Sequence, residues 1–570
     1  MPNSVHGDAL LQMLVEAGAL TNVQIEEVVE ENRRTGNPTR KIVLDMGVLN
    51  EDDLLMMVAN HMGVTMINLA ETEITPETAK AIPSSVAHMY NVVPVAAEAG
   101  TLTLAVSDLI PAEVMDEIRF VLSIDVTFVV AREEEVRNAI ARLYGDDKTS
   151  VNDLLSALES DLESEEGMLK LIEGKDDLKG LEQAANAAPV VRFVNLVLYE
   201  AVQSKASDIH FEPFEKEFKI RYRVDGALYE MSPPPKRLAL PVVSRIKVIS
   251  SLNIAERRLP QDGRLQMSLA GRQIDFRVST LPTQFGESVV LRILDRSTVS
   301  LDLENLGMPD DVLESFETDI KKSNGIVIVT GPTGSGKTTT LYSGLRRINT
   351  IDSKLLTVED PVEYDIEGII QVQANEAIGV TFQRVLRAFL RQDPDIIMIG
   401  EIRDLETAQI AIQASLTGHL VFTTLHTNDA PGAVTRLIDM NVEPFLLSST
   451  LESILAQRLL RTICSDCRTP YQPDDALLTQ LDLTRANVED KPFYYGKGCE
   501  KCHNTGYRGR KGLYEYLSVN DAIRALINER KPTMVLRKKA MEQGMRLLRD
   551  DGIRNILDGY TSAEEVLKYT

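Results

Sequence analysis

Apolar positions along the chain change their period several times, and each change predicts a different kind of unit. In residues 1–65 they recur at helical spacing, and the segment Val15-Glu-Ala-Gly18-Ala-Leu-Thr21 returns 29 positions later as Leu44-Asp-Met-Gly47-Val-Leu-Asn50. Each copy ends in an N-cap with a first-turn partner, Thr21 with Gln24 as a capping box and Asn50 with Asp53, so two stacked helix pairs are expected. Over 66–144, short β-branched runs at 92–95, 102–106 and 126–130 alternate with helical spacing, which predicts a compact α/β accessory domain. Residues 145–185 are acidic and poor in aromatics, with Glu159-Ser-Asp-Leu-Glu-Ser-Glu-Glu166 in their midst. They read as a solvated linker, in preference to an acidic docking motif.

Beyond the linker the pattern becomes strand-rich. A helix over 190–204 precedes Ser207-Asp-Ile-His210-Phe-Glu-Pro213, and Phe218-Lys-Ile-Arg-Tyr-Arg-Val224 alternates as a half-buried strand before an Asp225-Gly226 turn. Segments 272–278 and 288–294 are strands that carry arginines, Arg277 and Arg292 among them, between apolar residues. One such arginine is ordinarily a surface charge; several in a sheet domain ahead of a phosphate loop make a phosphate-facing role the competing reading. This unit is expected over 186–300 and a nucleotide domain over 301–570, with helical spacing through its last 50 residues.

The chemistry centres on Gly331-Pro332-Thr333-Gly334-Ser335-Gly336-Lys337-Thr338-Thr339, which follows the β-branched run 326–329 and opens a helical pattern. This is G-x-x-x-x-G-K-[ST] between strand and helix: backbone N–H groups close around phosphate oxygens, Lys337 supplies a point charge, and the Thr338 hydroxyl is a ligand for Mg²⁺. Two apolar strands then end in acids, Leu355-Leu-Thr-Val-Glu359-Asp360-Pro-Val-Glu363 and Pro394-Asp-Ile-Ile-Met-Ile-Gly-Glu401. In a parallel sheet the carboxyl ends of strands share the crevice of the phosphate loop, within reach of Mg²⁺ and an attacking water. A further strand, 420–424, leads to His426, a candidate γ-phosphate sensor where a lone histidine is more often structural.

The chain's only four cysteines form Cys464-x-x-Cys467 and Cys499-x-x-Cys502, separated by 31 residues. Four thiolates give the closed coordination of a structural Zn²⁺ site, which is preferred over a redox pair or an iron–sulfur cluster. Lys497, Lys501, Arg508, Arg510 and Lys511 make the second half of this insert basic, as a docking surface or as a solvated face. Elsewhere the balance is acidic. A net charge of −24 and the absence of tryptophan argue against a nucleic-acid translocase built on the same core. No apolar run is long enough to span a bilayer and the N-terminus lacks a basic leader, so a cytoplasmic protein is expected.

On the motifs GPTGSGKTTTLYSGL, VEDPVEY, RQDPDIIMIGEIRD, TGHLVFTTLHTNDA, SDIHFEP, RYRVDG and LPQDGR, with the tetracysteine insert, the chain resembles the hexameric secretion ATPases that drive type IV pilus extension and type II secretion. The resemblance runs almost end to end. It implies an α/β, multidomain architecture: a RecA-like P-loop ATPase core, a smaller α/β (PAS-like) mobile domain before it, an N-terminal accessory domain, and a zinc insert at about 462–512. It implies ATP with Mg²⁺, a homohexamer, an integral inner-membrane platform protein as partner, and peripheral attachment to the inner face of that membrane. Residues 331–338 correspond to the phosphate loop, Glu359, Asp360 and Glu363 to the aspartate box, with Asp360 near Mg²⁺. Glu401 corresponds to the Walker B glutamate that orients or activates water, His426 to the histidine box, and Arg277 and Arg292 to arginines directed at the γ-phosphate. With Lys337, Glu359, Glu363, Glu401, His426, Arg277 and Arg292 are the expected catalytic set. Some members bind cyclic di-GMP through Arg-Leu-Gly at the start of each N-terminal repeat. Here those places hold Gly7-Asp8-Ala9 and Pro38-Thr39-Arg40, so docking to another cytoplasmic pilus or secretion component is preferred for this region. Pilus extension is preferred over type II secretion, and both over a retraction motor.

Overall fold

The computed structural model describes residues 9–35, 38–98, 100–110, 112–122, 124–144, 178–269, 272–294, 301–488 and 491–570. Cα packing divides the chain into two compact units, Met1–Thr298 and Val299–Thr570. Most of the expected linker, 145–177, and Gly7 and Asp8 lie outside the described residues.

In the first unit the sequence repeat becomes four helices, Ala9–Glu16, Asn22–Thr35, Thr39–Asp45 and Glu51–Met62. The Gln24 N–H donates to Thr21 Oγ1 at 3.3 Å and the Thr21 N–H to Gln24 Oε1 at 2.9 Å, while the Asp53 N–H donates to Asn50 Oδ1 at 2.8 Å. Each such cap stabilises its helix by about 1 kcal/mol. The apolar faces, including Leu14, Val28, Val43 and Leu55, share one core with Leu104, Val106 and Val130 of a small sheet. That sheet comprises β1 (Val93–Glu98), β2 (Thr101–Val106) and β3 (Asp125–Val130), with β2 antiparallel to β1 and parallel to β3.

The solvated linker expected through residue 185 ends earlier. Leu178–Ala185 is a helix with Leu181, Ala184 and Ala185 buried, the i, i+3, i+4 stripe of a packed face. The helices Ala188–Gln203 and Ala239–Ile249 then share a core with a sheet of β4 (Asp208–Pro213), β5 (Phe218–Val224), β6 (Ala227–Glu230), β7 (Gln261–Leu269), β8 (Arg272–Thr283) and β9 (Gly286–Leu294). The order is β6-β5-β4-β9-β8-β7, antiparallel at every step. A buried ion pair crosses this core: Lys247, 1% exposed, donates to Glu287 Oε1 and to the Glu256 carbonyl, both at 2.7 Å.

The second unit is built on β10 (Gly325–Thr330), β11 (Leu355–Glu359), β12 (Ile369–Gln373), β13 (Ile396–Ile399), β14 (Leu420–Leu425) and β15 (Leu451–Ile463), all parallel. Beyond a short hairpin of β16 (Arg468–Tyr471) and β17 (Phe493–Gly496), β18 (Tyr507–Ser518) returns antiparallel to β15. The sheet order is β12-β11-β13-β14-β10-β15-β18. Strand β10 is buried at every position because both faces are covered: Ile326 and Ile328 enter one core, Val327 and Val329 the other. Helix Lys337–Ile348 packs against the second of these, and Leu405–Leu416 and Ala430–Asp439 against the first. Such two-sided burial gives an apolar run without alternation, the form the sequence shows. Among the described residues no helix is long and apolar enough to cross a membrane.

Candidate nucleotide site and metal centre

The carboxyl ends of β11, β13, β14 and β10 lie side by side, since each is the next in the sheet. Register aligns them: Val358 pairs with Ile399, Ile399 with Thr423, and Thr330 with Leu425. Glu359, Glu401, His426 and the loop from Gly331 therefore leave the sheet along one edge. Two threonines clasp these ends. Thr424 Oγ1 donates to the Gly400 carbonyl at 2.6 Å, and Thr330 Oγ1 bonds the Leu425 carbonyl at 3.0 Å and Thr427 Oγ1 at 2.7 Å.

In the loop, Gly331 and Gly336 have φ of +150° and +88° and also lie tightly against β15. A Cβ on Gly331 would stand 2.4 Å from the Gln457 carbonyl oxygen, and one on Gly336 would stand 2.8 Å from Gln457 Nε2. Lys337 is 8% exposed, and its ammonium donates to the Gly331 and Pro332 carbonyls, each at 2.9 Å. Burial, aided by the Arg458 guanidinium and opposed by the Glu401 carboxylate, brings its pKa down to about 8. Pro332, Thr333 and Gly334 are exposed, Thr338 and Thr339 half-buried. The Ser335 hydroxyl is buried with no hydrogen-bond partner among the described residues, an orphan that a phosphate oxygen would satisfy.

The acids differ sharply. Glu359 is 3% exposed and held on both oxygens: Tyr342 Oη donates to Oε2, while Thr357 Oγ1 at 2.6 Å and Gln371 Nε2 at 3.2 Å donate to Oε1. Burial raises its pKa against these three donors. Glu401 Oε2 lies 3.2 Å from His426 Nε2, and its Oε1 is ion-paired with Arg403. Here the histidine is about half exposed and the glutamate mostly covered. Glu363 is half-buried. Asp360 is exposed, and neither its carboxylate nor the Thr338 hydroxyl has a hydrogen-bond or ion-pair partner among the described residues.

Arg277 and Arg292 belong to the first unit, where they face each other across β8 and β9. The register extends this pair into a row. Arg264 lies opposite Arg277, Asp208 opposite Arg292, and Arg223 opposite Asp208. Directly opposed residues of antiparallel strands share a face, so four arginines line up with a single carboxylate, and like charges in that relation are destabilising unless an anion compensates them. Asp208, from the SDIHFEP segment, accepts from Arg292 Nε at 3.2 Å and has Arg223 at 3.6 Å.

At the far end of β15, where it meets β18, the Sγ atoms of Cys464, Cys467, Cys499 and Cys502 all lie within 4.8 Å of one another. The separations 464–499, 467–502 and 499–502 are 3.8, 3.9 and 3.6 Å. The backbone N–H groups of Cys499 and Gly506 donate to Cys502 Sγ at 3.2 and 3.3 Å. Much of the nearby basic charge is engaged internally, Lys501 with Asp466 at 2.6 Å and Lys511 over the Tyr560 ring at 3.6 Å.

The model of the type II/IV secretion system protein family matches residues 183–568, the phosphate loop, acids and cysteines included. The chain belongs to that family. Type IV pilus assembly ATPase PilB of Myxococcus xanthus is 41% identical over 561 residues, covering 98% of each chain. Type II secretion system protein E of Xanthomonas campestris pv. campestris is also 41% identical, over 566 residues and 98% of each chain. An MshEN domain model matches residues 62–150. The ATPase DotB of Legionella pneumophila shares the fold, with a TM-score of 0.50 and 24% identity over 66% of this chain and 94% of its own. The protein is thus an ATP hydrolase, a secretion or pilus motor ATPase of the type II/IV family, with a RecA-like α/β core.

The donor sets of this ATPase fit the expected ions. Tetrahedral thiolates at about 2.3 Å from Zn²⁺ stand about 3.8 Å apart, the spacing of these cysteines, and N–H donation to sulfur suits the thiolate form. A hydroxyl and a carboxylate, Thr338 and Asp360, are hard oxygen donors of the kind Mg²⁺ takes. Sequence reasoning missed Tyr342, Arg403, Gln457 and Arg458, all in contact with the nucleotide edge. Arg403 follows Glu401 by two residues and was an available signal, whereas Gln457 and Arg458 owe their place to the pairing of β15 with β10.

Proposed function

We propose that the chain is the motor of type IV pilus assembly, a ring of six copies that converts ATP hydrolysis into domain motion acting on an integral inner-membrane platform protein. The protein would work in the cytoplasm, held at the membrane's inner face by protein partners, with its N-terminal region docking other pilus components. One observation supports the catalytic reading above the others: Glu401 and His426 are paired at 3.2 Å at the ends of adjacent strands, one strand from the phosphate loop.

In this reading the loop amides and the Lys337 ammonium bind the β- and γ-phosphates. Thr338 and Asp360 would hold Mg²⁺, which when bound draws charge from the phosphate oxygens. Glu401 accepts a hydrogen bond from water and aligns it with the γ-phosphorus, opposite the leaving ADP oxygen, while His426 fixes the carboxylate and senses the γ-phosphate. Arg277 and Arg292 add positive charge where it develops in the transition state. Glu359, held by three donors, anchors the segment that presents Asp360 and Glu363. Four thiolates would hold a structural Zn²⁺ at the root of β15 and β18. Cyclic di-GMP is not assigned to the helical repeats. Arg40 there is buried and committed to the Ser107 carbonyl, to Glu51 at 3.1 Å and to Glu133 at 3.6 Å.

Similarity over 98% of the chain to a pilus assembly ATPase is compatible with the pilus reading. Equal identity and coverage with a type II secretion relative supports a second reading, the motor of type II secretion. Lys337→Ala in the native host separates them. Loss of surface filaments with normal culture-supernatant proteins is expected; filaments intact with secreted proteins lost would transfer the assignment to type II secretion.

A further inference from the structure

Tyr342 is fully buried on the helix Lys337–Ile348, five residues beyond the phosphate-loop lysine. Its ring meets Tyr364 edge-on, with centroids 6.2 Å apart. For that packing a phenylalanine would serve, and a buried hydroxyl costs free energy unless it is bonded. Here the hydroxyl is used fully. It donates to Glu359 Oε2 and accepts from the Glu363 N–H at 3.3 Å and from Gln371 Nε2 at 3.4 Å. Gln371 closes the other side, donating to the Tyr364 carbonyl at 3.0 Å and accepting from the Ile366 N–H at 2.8 Å. The segment from Glu359 to Ile366, which carries Asp360 and Glu363, is thus wrapped around two side chains. Of these, Tyr342 alone comes from the helix that begins at the phosphate loop.

We propose that Tyr342 is a positioning residue for hydrolysis, its phenol oxygen tying the phosphate-loop helix to the acidic segment so that phosphate held by the loop sets the place of Glu363. The proposal rests on the assignment of Glu363 to the nucleotide site made above. Burial raises the pKa of the phenol, with the Glu359 charge adding to it, so the group remains a donor throughout the working pH range. A shift of the helix by a fraction of an ångström would reach Glu363 through one hydrogen bond on its own backbone. The bond to Glu359 keeps the two ends of the segment in step.

The test compares three full-length variants by steady-state ATPase kinetics, with ADP-dependent thermal shift to show that each is folded and binds nucleotide. Tyr342→Phe should keep the ADP-induced shift and KM for ATP but lower kcat by about ten- to a hundredfold, as misplacement of a reacting constellation does. Thr357→Val removes another donor to Glu359 without touching Glu363, and should keep kcat within about threefold of the parent, since Gln371 and Tyr342 still hold that carboxylate. Equal losses in the two variants would overturn the proposal, reducing the phenol to a partner of Glu359. Wild-type turnover in Tyr342→Phe beside an impaired Glu363→Ala would overturn the link alone. Wild-type turnover in Glu363→Ala would instead overturn the assignment of Glu363 itself.

Discussion

Raising the pH from 7 to 9 should weaken nucleotide binding through a single residue, Lys337. Burial and the Arg458 guanidinium hold its pKa at about 8 in the free protein, against the pull of Glu401. Phosphate is bound by the ammonium form, so binding must raise that pKa and take up a proton. With a pKa near 8, about nine-tenths of the chains carry the ammonium at pH 7 and about one-tenth at pH 9, so apparent ADP affinity should fall about tenfold across the interval. Near pH 8 about half a proton should be taken up per nucleotide bound. Isothermal titration at pH 8 in two buffers of different ionisation enthalpy measures the uptake, and titrations at pH 7, 8 and 9 measure the slope. Lys337→Arg, whose guanidinium stays charged, should bind more weakly but with a flat profile. The sign for folding is opposite. A lysine unfolded near 10.4 and folded near 8 gives the unfolded chain more protons in that window, so stability without nucleotide rises with pH from about 8 to about 10. Affinity unchanged between pH 7 and 9, with no proton uptake, would refute the reasoning.

Three further outcomes follow from the packing. Cys467→Ser should lose the zinc released by denaturation in a colorimetric assay and expose the insert between Cys467 and Cys499 to limited proteolysis, because closed thiolate sites stabilise the fold around them. Lys247→Ala strands Glu287 in the core of the sheet β4–β9 and should cost about 3–5 kcal/mol in urea unfolding of that unit. Gly336→Ala puts a methyl 2.8 Å from Gln457 Nε2 at a left-handed backbone position, so ADP should no longer raise the melting temperature while circular dichroism stays unchanged.

How much of this was legible in the sequence depends on the range of the interaction. The phosphate loop, the cysteine pairs and the caps at Thr21 and Asn50 are local chemistry, and residue type with spacing sufficed to find them. The apolar runs at β10, β11, β13 and β14 were readable for a similar reason, since two-sided burial leaves an unbroken signature. Strands β15 and β18 were not. Gln457 and Arg458 sit inside β15 because Thr330 pairs with Ala456 in a parallel register, and no local pattern reports a partner more than 100 residues away. Tyr342 was hidden for the complementary reason: within its helix it reads as an ordinary core aromatic, and only the fold brings Glu359, Glu363 and Gln371 to its hydroxyl. The arginine row is intermediate. Arg223, Arg277 and Arg292 were visible as charges in strands, but Arg264 was not, and the alignment of all four with Asp208 is a matter of register between five strands. The linker's end was misplaced because the apolar stripe at Leu181, Ala184 and Ala185 is short and follows a long acidic run.

The central claim is that the Glu401–His426 pair turns over ATP held by the phosphate loop. Replacing Glu401 with Gln in the full-length protein and measuring nucleotide binding and hydrolysis side by side tests it most directly. ATP affinity within about threefold of the parent with hydrolysis reduced by at least about a hundredfold is the predicted result. Hydrolysis at the parental rate by Glu401→Gln would contradict the claim.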